Sequence, residues 1–268
     1  MKKALLDVLF ASDKRKKVLL LLQEESKETE TLLKSLETTR QALLPQMKIL
    51  EENHLVFHYE DAYELTPVGK LIVDEMVPLL GTTDVFDSDI DYWGTRKLDF
   101  IPPHLFKRIK ELKECQVINP AIQDLYALPQ EFYGTYDLSA ENSRRAETFY
   151  GVTAFFYPNA AKVFTEMLHG QVEINLIVTQ DMVDKIQSND RADYAEIVKN
   201  ELFHLFVYPK KIDFISIGFN EHCLLMRLLD SKGNYDYMYV LSSSQSALVW
   251  GKELFEYYLK DSVPVPKI

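Results

Sequence analysis

The chain has 268 residues, of which 47% are hydrophobic, so it is long enough for two domains and can bury a sizeable core. Its 30 Lys and Arg side chains stand against 41 Asp and Glu side chains, which gives a formal net charge of −11. An anion of this size is not a uniformly basic nucleic-acid binder, and any contact with a polyanion has to come from a local patch.

The start of the chain and its cysteines predict the compartment. No apolar run reaches the ~18 residues of a membrane span, and Met1–Leu6 leads into Asp7 and a basic run from Lys14 rather than a cleavage site. We therefore expect a cytoplasmic protein with no membrane partner. Cys115 and Cys223 each lie in an apolar stretch, which favours reduced core thiols over a disulfide and leaves redox sensing as an alternative.

The first 80 residues predict a helix-turn-helix. Two core helices are predicted from apolar residues at helical spacing, namely Leu5, Leu6, Leu9 and Phe10, then Val18, Leu19, Leu21 and Leu22. Ser12 caps the second of them, and a short helix follows over Leu32–Leu36. Thr38 and Thr39 then form a turn and cap a third helix. One face of this third helix carries Leu43, Met47 and Leu50, while Pro45 inside it predicts a late start or a bend at Leu44.

The next stretch predicts a β-hairpin, or wing. Leu55, Phe57 and Tyr59 alternate with Val56, His58 and Glu60, the tip is Glu60–Asp61, and the pattern returns through Tyr63 and Leu65. Thr66 and Pro67 then begin a helix of a type that commonly links domains and dimerises. Its apolar side is predicted to consist of Leu71, Ile72, Val73, Met76, Leu79 and Leu80.

Beyond residue 80 we expect an acidic, solvated linker over 81–100 and then a mixed α/β sheet domain over 101–268. The predicted strands lie near 116–118, 148–155, 172–179, 202–207, 213–218, 223–229 and 235–241, and the predicted helices near 159–168, 181–187 and 244–259. The fold class is thus α+β: an N-terminal winged helix-turn-helix domain at 1–80, followed by a C-terminal mixed α/β sheet domain.

Two sequence segments resemble prokaryotic winged-helix regulators: Thr38–Val56, which is similar to their recognition helix and first wing strand, and Tyr63–Lys70, which is similar to the second wing strand. Together with Phe100–Pro103, Phe156–Pro158 and Ala247–Tyr258, they resemble archaeal regulators of the methanogenesis regulatory (Fil-type) family. The resemblance implies a methanogenic archaeon and control of genes for methane metabolism.

In a winged helix the third helix enters the major groove of double-stranded DNA, and its outward residues meet base edges. We predict Arg40 at a guanine and Gln41 at an adenine. The other predicted DNA contacts come from the same helix, the basic run and the wing: Thr39, Leu44, Lys48, Lys14, Arg15, Lys16, Lys17 and His58. Against this prediction, residues 1–80 carry 11 basic and 14 acidic side chains, net −3, and the wing tip is acidic.

No glycine-rich phosphate loop, Cys-x-x-Cys, His-Glu-x-x-His or Gly-x-Ser-x-Gly motif occurs, so we predict no catalytic site, cofactor or metal. The aromatic-rich C-terminal part predicts a core, with an effector pocket at strand ends. Thr179 and Tyr208 end two predicted strands, and Tyr157 and Asn159 begin a helix after a third.

These observations favour a homodimeric transcription regulator that responds to a small-molecule effector. Two alternatives remain open: a regulator whose C-terminal domain serves only protein interaction or dimerisation, and an enzyme with an accessory helical domain.

Overall fold

A computed structural model describes residues 4–124, 129–136, 145–188 and 194–266. The chain divides into two compact units, Met1–Gly81 and Thr82–Ile268. Each unit has its own hydrophobic core of buried aliphatic and aromatic side chains.

The first unit is a winged helix-turn-helix, as predicted. Its helices are α1 (Leu5–Phe10), α2 (Asp13–Leu21), α3 (Thr29–Ser35), α4 (Arg40–Glu52) and α5 (Pro67–Asp87), the last of which runs past the boundary between the units. Strands β1 (Lys27–Glu28), β2 (Val56–Tyr59) and β3 (Ala62–Leu65) form an antiparallel sheet in the order β1-β3-β2.

The predicted caps and core positions are largely confirmed. Ser12 accepts a hydrogen bond from the Arg15 backbone N–H at the start of α2, and Leu43 and Leu50 of α4 are fully buried. Thr39 stands at the N-cap of α4 but makes no side-chain cap bond. The expected late start is wrong, because α4 is helical from Arg40 onward with Pro45 inside it.

Two predicted core faces of the first unit differ from expectation. In α1 the buried residues are Val8 and Leu9, while Leu5, Leu6 and Phe10 are exposed, because this short helix turns a narrow stripe toward the core. In α5, Val73 and Met76 are buried, whereas Leu71 and Leu79 project into solvent.

The second unit is built on an eight-stranded mixed sheet. Its strands are β4 (Gln116–Ile118), β5 (Thr148–Thr153), β6 (Glu173–Val178), β7 (Phe203–Val207), β8 (Ser216–Phe219), β9 (Leu224–Arg227), β10 (Tyr239–Ser242) and β11 (Val263–Pro264). Their order is β11-β7-β6-β5-β8-β9-β10-β4, in which β5, β6 and β7 are parallel and the other pairs antiparallel. Toward the C-terminus, β8, β9 and β10 pair antiparallel with one another.

A separate core covers each face of the sheet. The core on one face includes α6 (Ile90–Trp93), α7 (Pro103–Phe106) and α11 (Gln245–Lys260), whose buried Trp250 donates from Nε1 to the Leu105 carbonyl at 3.1 Å. The core on the other face includes α8 (Gln130–Tyr133), α9 (Ala160–His169) and α10 (Gln180–Ser188). Aromatic rings make up much of both cores, as predicted.

The segment predicted as a solvated linker is instead folded into the second unit. Residues 82–87 continue α5, and Tyr92 and Trp93 of α6 are each 2% exposed in the core. Trp93 also donates from Nε1 to the Ser88 hydroxyl at 3.0 Å. The apolar side chains between the acidic residues, and not the acidic residues themselves, decide the structure of this segment.

Both cysteines are free and buried, in agreement with the prediction of core thiols. Burial raises the pKa of Cys223 to about 12 and that of Cys115 above its ordinary value. Both thiols are therefore protonated and weakly nucleophilic at neutral pH.

Gly69 lets α5 begin directly against the hairpin. A Cβ at this position would lie 2.0 Å from the Leu55 carbonyl oxygen. The Thr66 hydroxyl accepts from the Gly69 N–H at 2.9 Å and donates to the His54 carbonyl at 2.7 Å, so the helix start is fixed on the strand start.

We expect Gly69→Ala to lower the free energy of unfolding of the first unit by about 1–3 kcal/mol, because the rigid backbone has to move to admit the methyl group. Chemical denaturation followed by circular dichroism measures the change. Lys70→Ala, at the exposed position that follows Gly69, is the matched control. Equal denaturation midpoints for Gly69→Ala and the wild-type chain would contradict the close approach.

Candidate nucleic-acid interface and ligand cavity

Helix α4 presents a polar face to solvent. The exposed residues are Arg40, Gln41, Leu44 and Lys48, whereas Leu43, Met47 and Leu50 of the same helix are buried. This is the arrangement predicted from the helical period of the sequence. Thr39, at the N-cap, is exposed as well.

The hairpin β2–β3 has an exposed side. Phe57, His58 and Tyr59 are all exposed, and the His58 ring stacks on Tyr63 of the paired strand with the ring centres 4.2 Å apart. Hydrogen bonds to Thr29 hold the acidic tip in place, since Asp61 accepts through Oδ1 from the Thr29 hydroxyl at 2.9 Å and through its carbonyl from the Thr29 N–H.

Acidic neighbours contact the basic side chains of the α4 face. The Arg40 guanidinium donates to Glu30 Oε1 from Nη2 at 2.6 Å and from Nε at 3.1 Å, and Lys48 Nζ lies 3.9 Å from Glu52 Oε1. The hydrogen bond to Glu30 and its negative charge raise the pKa of Arg40, so this cation stays protonated. Exposed pairs of this kind are weak and exchange readily for a stronger anion.

The structure corrects the prediction for Arg15, which is 4% exposed and faces the core of the first unit. Its guanidinium donates from Nε to the Val8 carbonyl at 2.6 Å, from Nη2 to the Asp7 carbonyl at 3.0 Å, and from Nη1 to Gln46 Oε1 at 2.8 Å. The last carbonyl groups of a short helix have no hydrogen-bond donors within the helix. Arg15 supplies two such donors to α1.

The other members of the basic run are more accessible. Lys17 is exposed, and Lys14 and Lys16 are half-buried. Lys16 pairs with Asp13 at 3.0 Å, and the hydrogen bond from Lys16 lowers the pKa of Asp13. Ser12, at the start of this run, donates to Gln46 Oε1 of α4 at 3.3 Å, so α2 begins beside the middle of α4.

The sheet of the second unit carries two glycines side by side. Gly151 of β5 and Gly218 of β8 are register partners. A Cβ on Gly151 would lie 2.9 Å from the Phe149 ring, whereas a Cβ on Gly218 would lie 3.4 Å from the rings of Phe132 and Phe149. A narrow cavity of about 50 Å³ lies on this face, lined mainly by aromatic and aliphatic side chains. No sequence pattern indicates this cavity, because the pairing of two distant glycines requires knowledge of the strand order.

A wider cavity of about 540 Å³ shares Tyr157 and Arg227 with the narrow one. Of the predicted effector residues, Tyr157 lines both cavities, whereas Asn159, Thr179 and Tyr208 do not belong to their linings. Asn159 is exposed at the start of α9, and Thr179 accepts through its carbonyl from the first turn of α10. Tyr208 is buried in the core on the opposite face of the sheet, with its ring against Tyr258.

The wider cavity is lined by Ile118–Ala121, Asp124, Pro129–Glu131, Arg227 and the tyrosines Tyr157, Tyr235, Tyr237 and Tyr239. In the part of the chain that the structure describes, no three His, Cys, Asp or Glu side chains come together as a metal site. None of the described helices is both long enough and apolar enough to cross a membrane.

Comparison with known proteins matches both units. Residues 4–87 match the family model of the HVO_A0261 N-terminal domain, and residues 133–261 match that of the middle domain of methanogenesis regulatory protein FilR1. The curated methanogenesis regulatory protein FilR1 of Methanothrix harundinacea (strain 6Ac) is 24% identical over 260 residues, which cover 94% of this chain. The chain spans only 56% of the length of that relative.

Among solved structures, TrmBL2, described as an archaeal chromatin protein with a novel mode of DNA binding, aligns over 95% of this chain and 94% of its own, with 12% identity and a TM-score of 0.42. The two family models and the curated relative confirm the resemblance that the sequence segments indicated. The first unit is thus similar to the HVO_A0261 N-terminal domain, and the second unit is similar to the middle domain of the methanogenesis regulatory protein FilR1.

Proposed function

We propose that this chain is a DNA-binding transcription regulator whose helix α4 enters the major groove. The observation that carries the proposal is the row of exposed Arg40, Gln41, Leu44 and Lys48, opposite the buried row of the same helix and in the same unit as an exposed β-hairpin. Side chains in such a row reach base edges, while a wing contacts the backbone or the minor groove.

The residues of the interface have different roles in this proposal. Arg40 donates to a guanine and Gln41 pairs with an adenine, and Leu44 packs against a thymine methyl group. Thr39, Lys48 and Lys17 contact phosphates, and His58 acts from the wing. Because the unit carries a net −3, binding depends on these few side chains and falls steeply with salt.

The regulated genes are inferred from the relative. A match to a methanogenesis regulatory protein supports control of methane-metabolism genes in a methanogenic archaeon, in the cytoplasm where the DNA lies. In this proposal the second unit senses a small-molecule effector in the cavities at Tyr157 and catalyses no reaction.

The regulator acts as a homodimer in our proposal, because a two-fold protein matches a palindromic operator. Val68, Leu71 and Leu79 of α5 lie on one side of the helix and are 55%, 67% and 52% exposed. A row of large apolar side chains in solvent suits burial against a second copy of the same helix.

We expect the double change Arg40→Ala and Lys48→Ala to weaken operator binding by about 100-fold or more, since it removes one base contact and one phosphate contact. Gel-shift titration against the chain's own promoter at two salt concentrations measures the effect. The salt slope should fall by about 1 in the variant.

The matched control for this experiment is Lys162→Ala with Lys252→Ala. Like Lys48, each of these lysines pairs with a glutamate four residues later on an exposed helix face, but both lie in the second unit. An affinity of the Arg40 and Lys48 variant equal to that of the control would remove α4 from the interface.

Glu30→Gln tests the competition for Arg40. The change keeps the shape of the side chain and removes the carboxylate that holds the guanidinium, so we expect DNA affinity to rise by about 2- to 10-fold at low salt. Glu52→Gln, which frees Lys48, should act in the same direction. A loss of affinity in both variants would mean that these carboxylates support the bound geometry.

Leu71→Glu tests the dimer. A charge in the centre of the exposed α5 row should convert a dimer into a monomer in sedimentation equilibrium and leave the fold intact, because Leu71 is exposed in the single chain. The control is Glu75→Gln, which changes a charge in the same row without adding one. A wild-type chain that sediments as a monomer would reject this interface.

A further inference from the structure

Arg227 of β9 is a buried cation without an anion. Its side chain is 3% exposed, and no ion pair to it exists in the described segments of the chain. Nη1 donates to the Ser216 hydroxyl at 3.1 Å, while Nη2 is buried and has no hydrogen-bond partner among the described residues. A guanidinium stays protonated in a protein, and burying it unpaired is unfavourable, so this position calls for an anion.

Tyrosines surround the guanidinium. Its Cζ lies 4.9 Å from the ring centre of Tyr157, and the hydroxyls of Tyr157 and Tyr235 are 3.4 Å apart. Burial acts to lower the pKa of Arg227, but charge interactions with Tyr133, Tyr157 and Tyr235, together with a side-chain hydrogen bond to Tyr133, outweigh this effect and raise it. The tyrosines also provide hydroxyl donors for a bound anion and apolar ring faces for its body.

The position of Arg227 in the sheet directs its guanidinium toward the two cavities. Along β9, Leu225 and Arg227 point to the same face, since alternate residues of a strand share a face. The register places Leu225 beside Gly218 and Arg227 beside Ser216, so the guanidinium lies next to the paired glycines where the sheet has no side chains. Arg227 is therefore at the junction of the narrow cavity and the wider one of about 540 Å³.

The charged side chains around the wider cavity favour a ligand with a single negative charge. Asp124 and Glu131 belong to its lining, and both are exposed. Two carboxylates at the lining disfavour a dianion such as a phosphate ester, whereas a single carboxylate is matched by the one guanidinium. The rings of Tyr157, Tyr235 and Tyr239 suit an apolar body on the same molecule.

We propose that this cavity binds a monocarboxylate with an apolar body, whose carboxylate accepts from Nη1 and Nη2 of Arg227. The bidentate geometry matches the fork of the guanidinium and supplies the partner that Nη2 lacks. Assigning this carboxylate as the effector rests on the proposed regulatory function, whereas the binding site itself rests on the cavity and on Arg227.

The test uses the full chain and two matched panels: hexanoate, octanoate, benzoate and phenylacetate, and the primary amides of the same four acids. We expect at least one carboxylate to raise the melting temperature by ~5–10 °C at roughly 100 times its Kd, and its amide to have no effect. Calorimetric titration then gives the Kd of the carboxylate that acts.

Arg227→Met removes the charge at similar length and leaves the apolar surroundings in place, so the variant is expected to fold. It should bind the carboxylate at least about 30-fold more weakly, whereas Lys162→Met, which removes an exposed charge of the same unit, should bind like the wild-type chain. A wild-type chain that none of the four carboxylates stabilises, or an Arg227→Met variant that binds as tightly as the wild type, would overturn the proposal.

Gel shifts with the promoter test the regulatory function separately from the carboxylate site. Promoter binding without carboxylate binding rejects the site and leaves the DNA-binding function standing. Carboxylate binding without promoter binding supports the site and rejects the regulatory function. Binding of both, with promoter affinity changed by the carboxylate in the wild-type chain and unchanged in Arg227→Met, supports the assignment as effector.

Discussion

The placement of α4 depends on one buried guanidinium. Arg15 of α2 binds the last carbonyls of α1 and the side chain of Gln46 in the middle of α4, so a single planar group fixes three helices relative to one another. Three directed hydrogen bonds set distance and angle more narrowly than apolar contacts alone, since apolar attraction has no preferred direction. The outward row of α4 is presented in one orientation because its inward side is held in this way.

Arg15 and Arg227 differ in the hydrogen-bond acceptors that surround their guanidinium groups. Both are almost fully buried, but Arg15 has an acceptor for each of its three nitrogens, whereas Arg227 has a buried Nη2 with no acceptor in the described chain. Burial of a charge is tolerated when hydrogen bonds replace its hydration, and is otherwise a sign that something is missing. The first arginine is therefore explained by the fold, whereas the second is explained by the carboxylate that we propose as its ligand.

Much of the fold could be predicted from the sequence because it follows local patterns. The period of Leu43, Met47 and Leu50 gave the orientation of α4, and the alternating residues around Glu60–Asp61 gave the hairpin. Arg15 was predicted in the wrong environment because it stands in a run of lysines. Its spacing from Val18, Leu19 and Leu22, at three, four and seven residues, was the available signal that it shares their buried face.

The ligand cavity was beyond sequence reasoning for a different reason. Tyr157 was predicted from its position after a strand, but the site depends on register partners that are far apart in the chain, such as Gly151 with Gly218 and Ser216 with Arg227. No local pattern marks a glycine that shares a face with a distant glycine, or an arginine in a strand whose neighbours are all buried. The residues that lie opposite one another across strands are set by the whole sheet. Sequence patterns therefore locate α4, the helix proposed to read DNA, more readily than a cavity in a mixed sheet.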